Sequence, residues 1–102
     1  MQIELDIITV ENNTDESRFQ VQVEEHMAVI DYYLRGNDIV FTHTGVPEPL
    51  GGQGLASKMA KTALEYAKAE GLKVVPQCPF VRAYLRRHSE YQVLVSEAFG
   101  EL

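Results

Sequence analysis

The hydrophobic period of this chain changes once, and the change falls on a loop that carries three glycines. Up to Val46, apolar residues recur at alternate positions, the period of half-buried strands. From Leu55 they recur at three- and four-residue spacing, the period of an amphipathic helix. A chain patterned this way lays down a sheet first and then covers it with helix. The spacing predicts a single α+β domain over residues 1–102, with no repeat, linker or low-complexity tract.

On the strand side, "IELDIITV" is short and β-branched and reads as a first strand, with turn chemistry following in "ENNTDES". In "RFQVQVEE" the apolar Phe19, Val21 and Val23 alternate with polar residues. "AVIDYYLRGNDIVFTHTGV" reads as two strands joined at "RGND". Ala28, Ile30, Tyr32 and Leu34 are predicted to share one face of the first, and Ile39, Phe41 and His43 one face of the second. These segments form an antiparallel meander.

On the helical side, Leu55, Ala56, Met59, Ala60, Ala63, Leu64 and Ala67 fall on one half of a helical wheel, with Tyr66. The helix runs about four turns, and its alanines make a flat face suited to packing on a sheet. Lys61 and Glu65 are spaced to pair on the wet side. Gly71 is a stop signal, "LKVVPQC" reads as a short buried strand, and Pro79 opens a second helix over "PFVRAYLRRH". "YQVLV" near the end reads as a last strand or as none. The order is β-β-β-β-α-β-α, with that optional strand.

The net charge of −6 excludes a nucleic-acid surface, which needs a clustered basic face. The basic residues are nonetheless uneven: seven of nine follow the glycine loop, a half suited to a small anion. No apolar run is long enough for a bilayer, the first residues lack the pattern of a targeting segment, and Cys78 has no partner for a disulfide. The expected setting is the cytoplasm, without membrane contact. Three scattered histidines and one cysteine lack metal-ligand spacing.

"VPEPLGGQGLASKMAK" supplies the candidate site. Glycines that open a helix let the backbone approach an anion and turn its free N–H groups inward, where the helix dipole adds positive charge. Neither G-x-x-x-x-G-K-[ST] nor G-x-G-x-x-G is present. By spacing alone, a phosphate loop and a plain strand-to-helix turn stay equally open.

The stretch "LGGQGLASKMAKTALEYAKAEGLKV" resembles the acetyl-CoA-binding motif [QR]-x-x-G-x-[GA] of the GNAT acetyltransferase superfamily. Gly54-Leu55-Ala56 stand at its G-x-A end, and Gly51 stands where Arg or Gln is usual. Phe41 to Tyr91 is similar to the very small GNAT-like family, through "HT-x-VP", the loop, and a "P-x-CPFV-x-x-YL-x-x-HPEY" segment in which Ser89 replaces proline. The resemblance implies a reduced GNAT fold that binds acetyl-CoA between splayed fourth and fifth strands. The cofactor-binding positions it implies are Thr44, Gly45 and Val46 for the pantetheine. For the pyrophosphate they are Gly51, Gly52, Gln53, Gly54, Leu55, Ala56 and Ser57. It implies transfer of acetyl to an unidentified amine, small or on a protein, by a monomer or weak homodimer. The alternative is a CoA-binding or interaction module with a vestigial site.

Acetyl transfer to an amine needs a proton acceptor, and His43 is the natural base. As a residue on a strand face it is equally a hydrogen-bonded histidine at a core edge. Cys78 stands before a helix N-terminus, a place that favours thiolate, and reads as an acyl acceptor or as a small buried hydrophobe. Glu48 is a second base or a solvated acid. Tyr84 resembles the tyrosine that many superfamily members use as an acid, with core packing as its other reading.

Overall fold

The computed structural model describes residues 1–102. Five strands form one sheet in chain order: β1 (Glu11–Asn13), β2 (Arg18–Val23), β3 (His26–Arg35), β4 (Asp38–Gly45) and β5 (Lys73–Pro76). The first four are antiparallel neighbours. β5 runs parallel to β4, because helix α1 (Leu55–Ala69) carries the chain back across the sheet between them. Helix α2 (Pro79–Arg87) follows at once and packs against β4, β5 and α1.

Alternation decides which side of the sheet meets the helices. Phe19 and Val21 of β2, Ala28, Ile30 and Tyr32 of β3, and Ile39 and Phe41 of β4 all enter one buried cluster. From α1 they meet Leu55, Met59, Ala60, Ala63, Leu64 and Ala67, the helix face expected from the wheel. Phe19 holds the centre, with ring centroids 5.4 Å from Tyr32 and 5.6 Å from Tyr66. The other side is open over β2 and β3, where Arg18, Gln20, Gln22, Asp31 and Tyr33 are half-buried or exposed. Leu34 shares the face of Tyr32 but lies beyond the core edge and is 56% exposed. No helix is long and apolar enough to cross a membrane.

Two strand expectations change. "IELDIITV" is not a strand: Leu5–Ile7 forms a 3₁₀ turn, and β1 falls instead on Glu11–Asn13, within the segment read as turn. Polar chemistry explains the choice. Gln20 of β2 donates to Glu11 at 2.9 Å and accepts from Asn13 at 3.1 Å, so the edge strand is tied to β2 through polar side chains. The apolar Ile3, Leu5, Ile8 and Val10 pack against the core as an arm. The tail strand is likewise absent. Ser89–Leu94 is 3₁₀ helix, and only Val95 makes a bridge, to Val74.

Glu65 does not pair with Lys61; the only ion pairs are Arg18–Glu16 and Arg35–Asp38, each at 4.0 Å. Glu65 instead accepts a hydrogen bond from the buried Tyr91 phenol, which fixes the tail against α1.

At one level of the sheet, β4 meets two irregularities. Asp31 pairs with His43 and Tyr32 with Phe41, so Thr42 is an extra residue in β4, a β-bulge. On the opposite edge, pairing with β5 ends at Phe41–Pro76. Pro76 has no N–H to extend the ladder, and the Cys78 N–H donates to the Phe41 carbonyl at 2.9 Å as the chain turns away. From Thr42 to Gly45, β4 continues with no strand on that side.

The Glu65 hydrogen bond and burial raise the Tyr91 phenol well above the ordinary tyrosine range. A raised phenol stabilises the fold while it is neutral. The contribution is therefore whole below pH ~10 and is lost as pH climbs from there toward the raised value. Tyr91→Phe is expected to lose about 1 kcal/mol at pH 7. Its melting temperature should fall less steeply than the wild type's above pH ~10, as read by circular dichroism across pH.

Candidate functional site

The glycine loop joins the 3₁₀ turn Glu48–Leu50 to α1. Gly52 and Gly54 take φ of +71° and +85°, the left-handed region, and this turns successive amides to one side. Gly54 is the N-cap of α1, and no side chain caps the helix. Every backbone N–H from Gly52 to Ser57 lacks an acceptor within the protein. They form a continuous donor run at the positive end of a four-turn helix, a geometry suited to an anion.

Gln53 turns its side chain away from this run. Its Oε1 accepts from the Ile3 N–H at 2.9 Å and its Nε2 donates to the Met1 carbonyl at 2.7 Å. Lys58, in the first turn of α1, donates to the Leu5 carbonyl. The N-terminal arm thus lies against the outer side of the loop, and the loop meets its cleft through backbone.

That cleft has a volume of about 220 Å³. Gly51, Gly52, Gly54, Ala56 and Ser57 form its polar rim, and Val46, Leu50, Leu55 and Phe80 its apolar wall. Seven of the ten sequence-predicted binding positions line it. Gln53 does not; Thr44 and Gly45 lie just before Val46 on β4. Leu50 and Phe80 are additions to the sequence-predicted set. Leu50 carries one signal in the sequence: it is an apolar residue inside the polar "VPEPLGG" turn, here fully buried. Phe80 lies on the first turn of α2, half-buried, where it packs against the core edge and also lines the cleft.

The bulge overturns one expectation at the end of β4. His43 does not share a face with Ile39 and Phe41, because the extra Thr42 reverses the alternation. His43 pairs with Asp31 and is exposed on the open face, whereas Thr44 pairs with Ile30 and faces the core. Thr44 Oγ1 lies 3.0 Å from Cys78 Sγ, and Cys78 is only 2% exposed. Consecutive residues of one strand therefore present an imidazole outward and a hydroxyl–thiol pair inward. Glu48 is exposed beside the loop.

Tyr84 lies outside the cleft lining. Its ring stacks on His88 at 3.9 Å and stands 6.4 Å from Tyr91. Burial raises its phenol, and the charges of Glu90 and Glu65 add to this, so it stays protonated through the neutral range.

A mostly antiparallel sheet whose last strand is parallel, with a glycine loop and helix between β4 and β5, is a GNAT-like fold. Residues 18–94 match the GCN5-related N-acetyl-transferase family, and the chain belongs to it. Among curated relatives, Protein NATD1 of Mus musculus is 32% identical over 90 residues, covering 85% of this chain and 82% of the relative. Protein NATD1 of Homo sapiens is also 32% identical, with 85% and 80% covered. Among solved structures, the NMR solution structure of a GCN5-like putative N-acetyltransferase from Staphylococcus aureus superposes with a TM-score of 0.69 at 31% identity. That match covers 86% of this chain and 87% of the other.

The two left-handed glycines are separable by experiment. A Cβ at Gly52 meets nothing within 4 Å, so Gly52→Ala carries backbone strain alone, about 1 kcal/mol. A Cβ at Gly54 also meets Leu5 Cδ1 at 3.2 Å. Gly54→Ala is expected to cost more, about 2 kcal/mol, measured as a shift of the urea midpoint.

Proposed function

We propose that this protein binds acetyl-CoA in the cleft beside the glycine loop and transfers its acetyl group to a primary amine. The observation that carries the reading is the run of unpartnered N–H groups from Gly52 to Ser57 along one rim of an apolar cleft. The residues fit the coenzyme in three respects. The amide run matches a pyrophosphate, and the walls of Val46, Leu50, Leu55 and Phe80 match a pantetheine arm. The unpaired edge of β4 past Phe41 offers main-chain groups to an amide-bearing chain lying alongside. Acetyl-CoA, when bound, supplies the acetyl group as a thioester.

The chain's own residues divide the remaining work. His43, exposed at the end of β4, takes the proton from an acceptor amine that approaches over the open face of the sheet. The free amides at the end of β4 are donors for an oxyanion. Cys78 and Thr44 lie on the inner side, and the burial of the thiol favours direct transfer over an acyl-cysteine route. The Thr44–Cys78 pair supports the two-step route as a second reading, because a hydroxyl at 3.0 Å can stabilise a thiolate. Tyr84 in this reading buttresses α2.

Calorimetry and melting with CoA test the binding. A ligand selective for the folded state at a hundred times its Kd stabilises by about 2.7 kcal/mol, so melting should rise clearly. Gly54→Val should abolish that rise while far-ultraviolet circular dichroism stays native-like. No heat and no rise with the wild type overturns the reading. Labelled acetyl-CoA separates the routes: Cys78→Ser retains transfer if it is direct, and loses both transfer and labelled protein if it is two-step.

A further inference from the structure

We propose that Gly45 is a positioning residue for His43: its missing side chain lets the imidazole lie forward along β4, toward the cleft end of the strand. The inference rests on the reading of His43 as the base. A Cβ built on Gly45 would lie 3.1 Å from His43 Nε2 and 3.9 Å from its Cδ2. Residues two apart in a strand project from the same face as neighbours. A side chain at position 45 would therefore stand where the ring now rests. The ring instead leans along the strand toward Gly45, whose next residue, Val46, lines the cleft. The slot has a second wall: Val29 Cγ2 lies 3.7 Å from the same point, and Val29 is the cross-strand partner of Gly45. Asp31 is the partner of His43 itself.

Nothing in the backbone asks for glycine here. Gly45 is absent from the residues with positive φ and sits in a regular strand. The reason for glycine is the space above it. The slot also depends on the bulge, since only the reversal at Thr42 puts positions 43 and 45 on the open face. Gly45→Ala therefore introduces one methyl group at a spot where the sole tight neighbour is the imidazole. A ring at the surface responds by rotating away rather than by unfolding the sheet.

The test has two independent readouts. In coenzyme-free protein, NMR should show nuclear Overhauser cross-peaks from the His43 ring to the Gly45 α-protons and to a Val29 methyl. The cross-peak to Val29 should vanish in Gly45→Ala. Kinetics would use acetyl-CoA with a panel of primary amines: blocked lysine, spermidine and a peptide with a free N-terminus. Gly45→Ala is expected to lower kcat by roughly ten- to a hundredfold with KM for acetyl-CoA nearly unchanged. In a His43→Ala background the same substitution should be silent, because residues that act through one another are not additive. Absence of these cross-peaks in the wild type overturns the proposal and leaves acetyl transfer standing. An equal drop in kcat in the His43→Ala background overturns it as well, since Gly45 then acts on something else. If the wild type acetylates no amine, the functional reading fails and the catalytic role falls with it, while the cross-peaks still establish whether the slot exists.

Discussion

β4 loses one neighbour and slips against the other at the same level, and the shape of the candidate site depends on that coincidence. On one edge Pro76 ends the ladder; on the other Thr42 adds a residue. Either change alone would be minor. A strand that only lost β5 would keep His43 on the core face, packed with Phe41. A strand that only bulged would keep its edge paired. Together they leave four residues of β4 with free main-chain groups on one side and reversed side chains on both faces. The strong aromatic packing of Phe19, Tyr32 and Phe41 just before this point keeps the opening local.

Much of this was legible in the residues, for reasons that can be stated. α1 was readable because its burial follows one geometric period for four turns, and the structure buries the face the wheel selects apart from the half-buried Ala56 and Tyr66. The loop was readable because glycines at a helix start have few uses, and the amide run lies where the spacing put it. β5 was legible as the apolar core of "LKVVPQC", although the strand stops at Pro76, short of Gln77 and Cys78. The bulge was not legible. Thr42 is an ordinary strand residue, and the register shift arises from pairing with Asp31 and Tyr32, which no local pattern encodes. The consequence was an error of face at His43. β1 was missed for a similar reason: its pairing uses Gln20, Glu11 and Asn13 side chains, whereas strand patterns are written in apolar residues.

The division of polar groups in the site also follows from its construction. Main chain faces the cleft, whereas side chains with chemistry sit around it: His43 outside, Thr44 and Cys78 inside, Gln53 and Lys58 turned toward the arm. A site built from amides needs the backbone in one shape and asks little of side-chain identity. That explains how Gly51 can occupy the position where Arg or Gln is usual without removing a donor from the run.

Gln53 gives this last point a thermodynamic edge. A glycine-rich segment is the costliest kind of chain to hold in one conformation, and a ligand that had to order it would forfeit that free energy from its affinity. The amide of Gln53 closes two hydrogen bonds onto the backbone of residues 1 and 3 before any ligand arrives. The ordering entropy is thereby charged to folding instead of to association. The first few residues of the chain, remote in sequence from every group that would touch a ligand, thus help set how tightly the loop can hold one.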